Sequence, residues 1–428
     1  MSRIHRAMVG TNPVAETQRT IRSPGLDALR AGGALLVILL HAAIPYLHEP
    51  MPGLAWPARS SESSTLADAT FWWVESFVMP LFFCLSGYGC WLSLSNRGPL
   101  PFLHARWKRL GAPLMAAGCV ILPIELYLWI GGWVLSGELA AIKLRSLKLT
   151  GYYAQAWGLS HLWYLQYLLI ISVGLGLLSA AKSFFHKPST SNFFFDTRQR
   201  PLTALQSFGA GGVLFTAVVA TLTWRPEVVL EFQHGFIPDT AKLAYSAEFF
   251  LVGVLIARMG NHGFPKRTDI AALLFVLAMI CTIGIQAVLH RTETFPSIVE
   301  PNLFEQRLFQ GTLLALTATC WTLACWSGAL LVTRLPNTIS RLAAASFWIY
   351  LAHHPVVAAL EILFVRTNLP ATWQFLLVGS LTLAVSWWSY HALVEGTFID
   401  RFLNGQSSPA PQPAAVPTSI PANDRKAA

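Results

Sequence analysis

Residues 23–47 read SPGLDALRAGGALLVILLHAAIPYL, and this stretch decides the fold. A helix that crosses the hydrocarbon core of a bilayer needs about 20 mostly apolar residues. The segment supplies them, with Asp27 at its start and Arg30 and His41 further inside the run. Ser23 ahead of Pro24 reads as a helix start, because serine caps free N–H groups and proline is preset for the first helical position. The basic stretch before it gives the outline of a signal peptide. Arg30, the length of the run and the following His48-Glu49-Pro50, with no small-residue cleavage pattern, read instead as a retained first span.

Nine further apolar runs follow, at 70–94, 111–135, 161–181, 205–224, 244–258, 270–289, 310–333, 345–364 and 372–394. The sixth span, 244–258, is short. The runs are continuous rather than alternating, which excludes a membrane barrel. The expected fold is an all-α integral membrane protein with about ten transmembrane helices in one bundle.

Composition agrees. The 428 residues are 54% hydrophobic and only 12% charged, against roughly 25% charged in soluble domains. That excludes a soluble globular protein, a wholly disordered chain, a collagen-like fibre and a coiled coil. The net charge of +9 reflects topology rather than nucleic acid as a partner, because basic residues collect in cytoplasmic loops. With the N-terminus in the cytoplasm, 20 of the 30 Lys and Arg fall in inner segments and 9 in outer ones, with Arg30 inside the first span. Both termini are therefore expected in the cytoplasm, and the protein in the inner (cytoplasmic) membrane. The six cysteines lie in apolar stretches without CxxC spacing, so they read as buried free thiols rather than disulfides or a zinc site. No metal is expected.

The chain divides into a basic cytoplasmic segment 1–22, a membrane domain 23–405 and a Pro/Ala-rich tail 406–428 expected to be disordered. The basic stretch 182–200, with Phe193-Phe194-Phe195, is expected to lie on the membrane surface. No repeat of fixed period is present, which disfavours the repeat-built transporters.

Chemistry must come from ionisable residues inside the spans, because each costs several kcal/mol unless paired or wetted. They are Arg30, His41, Glu75, Glu125, His161, Glu248, His353, His354, Glu361 and His391. Arg30 and His41 are eleven residues apart. On a helix that is about 1100°, three turns and roughly 20°, so both share a face about 16 Å apart. Two readings stand side by side. In one, Arg30 snorkels to the interface and His41 is packing glue between helices. In the other, His41 is a general base and Arg30 holds an anionic group one substrate arm away. The glutamates Glu75, Glu125, Glu248 and Glu361 fall in the outer halves of their spans, whereas Arg106, Lys108 and Arg109 fall at the inner boundary. That gradient suits an anion-binding inner mouth with a hydroxyl-accepting outer mouth, and equally an ion or organic-cation path.

Leu26-Asp27-Ala28-Leu29-Arg30 followed by His41 resembles the arginine–ten residues–histidine motif of membrane acyltransferase family 3. Met79-Pro80-Leu81-Phe82-Phe83-Cys84-Leu85-Ser86-Gly87-Tyr88 resembles that family's second span. Phe102-Leu103 with Arg106, Arg109-Leu110 and Pro113 is similar to its basic inner loop. His161-Leu162-Trp163-Tyr164-Leu165 resembles the start of its fourth span, and Tyr350-Leu351-Ala352-His353-His354-Pro355 its late histidine span. Leu393-Val394-Glu395 through Leu403-Asn404-Gly405 resembles the close of the glucan-modifying branch. The motifs run in family order over residues 22–405.

The resemblance implies an O-acyltransferase that takes an acyl group from cytoplasmic acyl-CoA, acetyl-CoA or succinyl-CoA foremost, to a hydroxyl of a glycan or lipid-linked sugar. It implies that Arg30, Arg106 and Arg109 hold the CoA phosphates, arginine being suited to bidentate phosphate binding. His41 would be general base or acyl carrier. His353 would orient the acceptor or act as a second acid/base, and Glu75, His161 and His354 would be acceptor-side groups. Membrane lipid is the other expected partner, and the oligomeric state is not legible. Two details depart from the family pattern: Arg106 and Arg109 are three apart with Lys108 between, and the late histidine is doubled. The alternatives are a multi-pass transporter using the buried charges as its path, and a non-catalytic envelope scaffold.

Overall fold

The computed structural model describes residues 23–185, 202–260, 266–291 and 304–404. The expected basic segment 1–22, the Phe193–Phe195 stretch and the tail 406–428 lie outside the described residues. Among those described, every regular element is helical. The main helices are α1 (Pro24–Ala43), α2 (Thr65–Glu75), α3 (Val78–Arg97), α4 (Pro99–Arg106), α5 (Ala112–Leu135), α6 (Trp163–Phe185), α7 (Ala204–Trp224), α8 (Thr240–Met259), α9 (Thr268–Arg291), α10 (Phe304–Leu331), α11 (Asn337–Phe364), α12 (Ala371–Ser389) and α13 (Phe398–Asn404). They provide ten helical segments long and apolar enough to cross a membrane.

α1 begins where the serine and proline place it: the Leu26 N–H donates to Ser23 Oγ at 3.2 Å. It packs against α2, α10, α11 and α12. More than half of its apolar window is buried, 56%, against 17% for α7 and for α9. α1 is thus interior, and α7 and α9 face outward. Lipid tails are as apolar as leucine, so close backbone approach rather than hydrophobic burial joins such helices. α3 and α8 illustrate it. A Cβ on Gly87 would stand 1.9 Å from the Phe250 carbonyl oxygen, and one on Gly253 would stand 1.9 Å from that of Cys84.

The structure departs from the sequence reading in several places. The second span is two helices, α2 and α3, parted at Ser76–Phe77, because Pro80 has no N–H to give the Ser76 carbonyl. The basic inner loop is helical throughout. α4 passes into α5 through a π turn, Trp107–Gly111, in which the Ala112 N–H donates to the Trp107 carbonyl; the wider turn lies just ahead of Pro113, whose missing N–H leaves the α pattern incomplete. The sixth span starts at Thr240, four residues earlier than read, with Asp239 as its cap. Lys242, assigned to an outer loop, is buried there. Its ammonium lies 3.8 Å from the Trp163 ring centre and donates to the Gln233 carbonyl at 2.8 Å.

Candidate active site

His41 lies in the last turn of α1 and is 8% exposed. Its Nδ1 lies 2.8 Å from the Val37 carbonyl oxygen. A carbonyl can only accept, so Nδ1 carries the proton and Nε2 keeps its lone pair. His353 on α11 repeats the arrangement. Its Nδ1 donates to the carbonyls of Tyr350 at 2.8 Å and Ile349 at 3.1 Å. Its Nε2 therefore has a lone pair, and that atom faces His41 Nδ1 at 3.4 Å. The two rings meet edge to face with centres 4.9 Å apart.

His354, the next residue, faces a different neighbour. Its Nδ1 lies 3.0 Å from Glu125 Oε1 on α5, and His161 Nδ1 lies 3.1 Å from the same oxygen. The His161 and His354 rings stack, 4.6 Å apart and 16° from parallel. Glu125 Oε1 and one nitrogen of each histidine lie within 4.8 Å of one another, all three residues buried. His161 sits in a short 3-10 turn ahead of α6, beside Ser160, which holds a left-handed φ of 49°. Such a backbone persists only where its surroundings hold it. Here the Leu159 N–H donates to the His234 carbonyl at 2.7 Å, the Ser160 N–H to His234 Nδ1 at 3.2 Å, and Tyr350 Oη to the His161 carbonyl at 2.6 Å. His234 serves as acceptor because it is neutral: burial, and then the charge of Lys242, lower its pKa to about 4.

An aromatic wall closes this end. The Trp56 ring lies 5.1 Å from that of His354 and 6.2 Å from that of His41. Its indole N–H donates to Glu361 Oε2 at 2.6 Å, and the Trp133 indole N–H donates to the Trp56 carbonyl at 2.9 Å. Behind it lies a cleft of about 400 Å³ lined by Pro57, Arg59, Glu138 and Arg366.

The other end of α1 is cationic. Arg30 bonds Asp27 Oδ1 at 2.7 Å and its side chain stays 38% exposed. Arg109 is within electrostatic range of Arg106, Arg30 and Arg97, and the Arg106 guanidinium lies 5.2 Å from the Phe102 ring centre. Arg109 lies in the π turn.

Of the residues expected at a site, His41, His161, His353 and His354 form one cluster, and Arg30, Arg106 and Arg109 form another. Glu75 joins neither. It lines a small cavity with Lys242, Trp163 and Tyr245. The sequence reading missed Glu125 and Trp56 as site residues. Glu125 had been visible as an intramembrane carboxylate, but its partners sit on other helices.

A family model described as an acyltransferase domain matches residues 23–391. The chain belongs to acyltransferase family 3. The match spans both clusters, and the protein is a multi-pass membrane acyltransferase. No curated protein and no solved structure matches the chain.

Proposed function

We propose that this acyltransferase moves an acyl group from acyl-CoA to a hydroxyl of a glycan or lipid-linked sugar, with His41 as general base. The observation that carries the reading is the fixed tautomer of His41. Its Nδ1–H is engaged by Val37 and faces His353, which leaves Nε2 as a base on the same helix as Arg30. The arginines Arg30, Arg106 and Arg109 are the phosphate-binding group for CoA. A spacing of about 16 Å along α1 suits a pantetheine arm running from that group to His41.

On this reading the acceptor hydroxyl gives its proton to His41 Nε2 as its oxygen attacks the thioester carbonyl carbon. The C–S bond breaks, and the His41 proton passes to the leaving sulfur to give CoA and an ester. His353 positions His41 rather than touching substrate. His161 and His354 stand on the acceptor side, and the acceptor enters from the cleft beside Pro57, with Trp56, held by Glu361, between that cleft and the histidines. Glu75, which lines a separate small cavity with Lys242, is given no role on this reading. The bias of 20 inner to 9 outer cations supports a cytoplasmic arginine end, both termini in the cytoplasm, and residence in the inner membrane. Acetyl-CoA and succinyl-CoA are the donors of choice.

Mass spectrometry of envelope glycans and lipids from cells with and without the protein tests the reading. A species that loses the mass of one acyl group names donor and acceptor together. Identical profiles, with acyl-CoA neither bound nor consumed by the purified protein, would overturn it.

A further inference from the structure

We propose that Glu125, His161 and His354 form a binding site for one divalent transition-metal ion of the zinc class. The three side chains come from α5, the turn before α6 and α11, and are exposed by 2%, 4% and 1%. One carboxylate and two imidazoles are the donor set that zinc takes in catalytic sites with one position left open.

The contacts among them are those that ligation of one ion would give. Glu125 Oε1 stands 3.1 Å from His161 Nδ1 and 3.0 Å from His354 Nδ1. At those separations aligned hydrogen bonds would be expected. Yet Glu125 Oε1, Glu125 Oε2, His161 Nδ1 and His161 Nε2 are all buried without an aligned partner. Bonds of about 2.0–2.1 Å to a shared ion place ligand atoms about 3.4 Å apart when tetrahedral. Each nitrogen lone pair then points at the ion, roughly 35° off the line to the neighbouring oxygen. Three donor atoms this close, all buried, could share one ion. Buried polar groups without partners are rare in native proteins, and inside a membrane they cost more. An ion shared in this way would satisfy the carboxylate oxygen and the His161 nitrogen at once, with His354 Nδ1, which has only a 3.5 Å aligned contact, to Ser160 Oγ, as the third donor.

The surroundings suit such an ion. The His161 carbonyl is held by Tyr350, and the Ser160 backbone by His234, so the His161 ligand arrives on a braced turn. Trp56 and Trp129 flank His354, with ring centres at 5.1 Å and 6.1 Å, and they screen the site from water. The His41 ring centre lies 4.9 Å from that of His354. An ion with one open position would therefore sit beside the proposed base, placed to take an acceptor oxygen. That last step rests on the acyl-transfer reading; occupancy of the site does not.

The test is metal content of the full-length protein purified in detergent without chelators, with cobalt titration after chelator treatment. We expect about one equivalent of zinc-class metal per chain. Glu125→Gln and His161→Ala should lose it, while a control at the distant His391, His391→Ala, should keep it. Because the ligand variants could fail to fold, the wild type carries the second arm. Stripped wild-type protein should take up one Co²⁺ with the intense visible absorption of a tetrahedral site, and its melting temperature should rise. Metal well below one tenth of an equivalent in wild type, with no cobalt spectrum and no thermal shift, would overturn the proposal. Stoichiometric metal that survives both ligand substitutions would overturn it as well. Loss of acyl transfer alone decides neither arm, so failure of this inference is distinct from failure of the reaction proposed above.

Discussion

The Nε2 atom of His353 faces Nδ1 of His41 at 3.4 Å, so the imidazole on α11 holds the proton of the imidazole on α1 in place. The contact turns two intramembrane histidines into an ordered pair, one presenting a free lone pair and one holding it there. His353→Ala is expected to lower kcat by about 10- to 100-fold, the usual scale for losing an orienting partner of a histidine, while KM for acyl-CoA stays unchanged. His353→Gln should recover part of the loss, because a side-chain carbonyl can accept from His41. Steady-state kinetics on the three proteins check this, and an unchanged kcat in His353→Ala would exclude the positioning role.

The arginine group predicts the opposite kinetic pattern. A hydrogen bond between charged partners contributes about 1.5–3 kcal/mol. Arg30→Ala or Arg109→Ala should therefore raise KM for acyl-CoA about 10- to 100-fold with little change in kcat. Arg109→Lys should rescue poorly, since an ammonium cannot bind phosphate bidentately. Competition by free CoA, measured for each variant, separates donor binding from chemistry.

The contact between α3 and α8 predicts a stability effect with a definite coupling. Gly87→Val would drive a side chain against the Phe250 carbonyl, and Gly253→Val one against that of Cys84. Each should lower the melting temperature and membrane abundance, overpacking costing about 1–3 kcal/mol. The double variant should be less destabilised than the sum, because the first substitution already parts the helices. Strict additivity would contradict the shared interface.

His234 predicts how stability follows pH. Its pKa falls from 6.5 to about 4 on folding, through burial and then the charge of Lys242. The unfolded chain thus binds the proton more readily between those values. Stability from this group is complete above about 6.5 and is lost as pH falls toward 4, by up to about 3 kcal/mol. Melting temperatures between pH 7.5 and 4.5 should fall more steeply in the wild type than in His234→Asn, whose amide oxygen can still accept from the Ser160 N–H. Parallel curves would contradict the assignment.

Much of the fold was legible because a membrane imposes it. α1 begins at the serine cap and proline that the sequence marks, and each span was found from apolar length alone. Errors arose where a charge or a proline has a local partner. Lys242 reads as loop because lysine is usually solvated, and it enters the helix here because Trp163 and the Gln233 carbonyl receive it. Pro80 breaks a run that hydropathy treats as continuous. At the site, Arg30 and His41 were readable because one helix carries both. The doubled histidine was not, since adjacent helical positions differ by about 100° and only packing shows that His353 faces His41 while His354 faces Glu125. The expectation of no metal rested on cysteine spacing, whereas the site proposed above would draw its ligands from three separate elements.

The central claim is that His41 is the base for acyl transfer. Its most direct test is the rate of acyl transfer by purified His41→Ala, at membrane abundance and acyl-CoA affinity equal to wild type. The account predicts a loss of about 10³-fold or more, near the upper range for removing a general base. Full activity in that variant would contradict it.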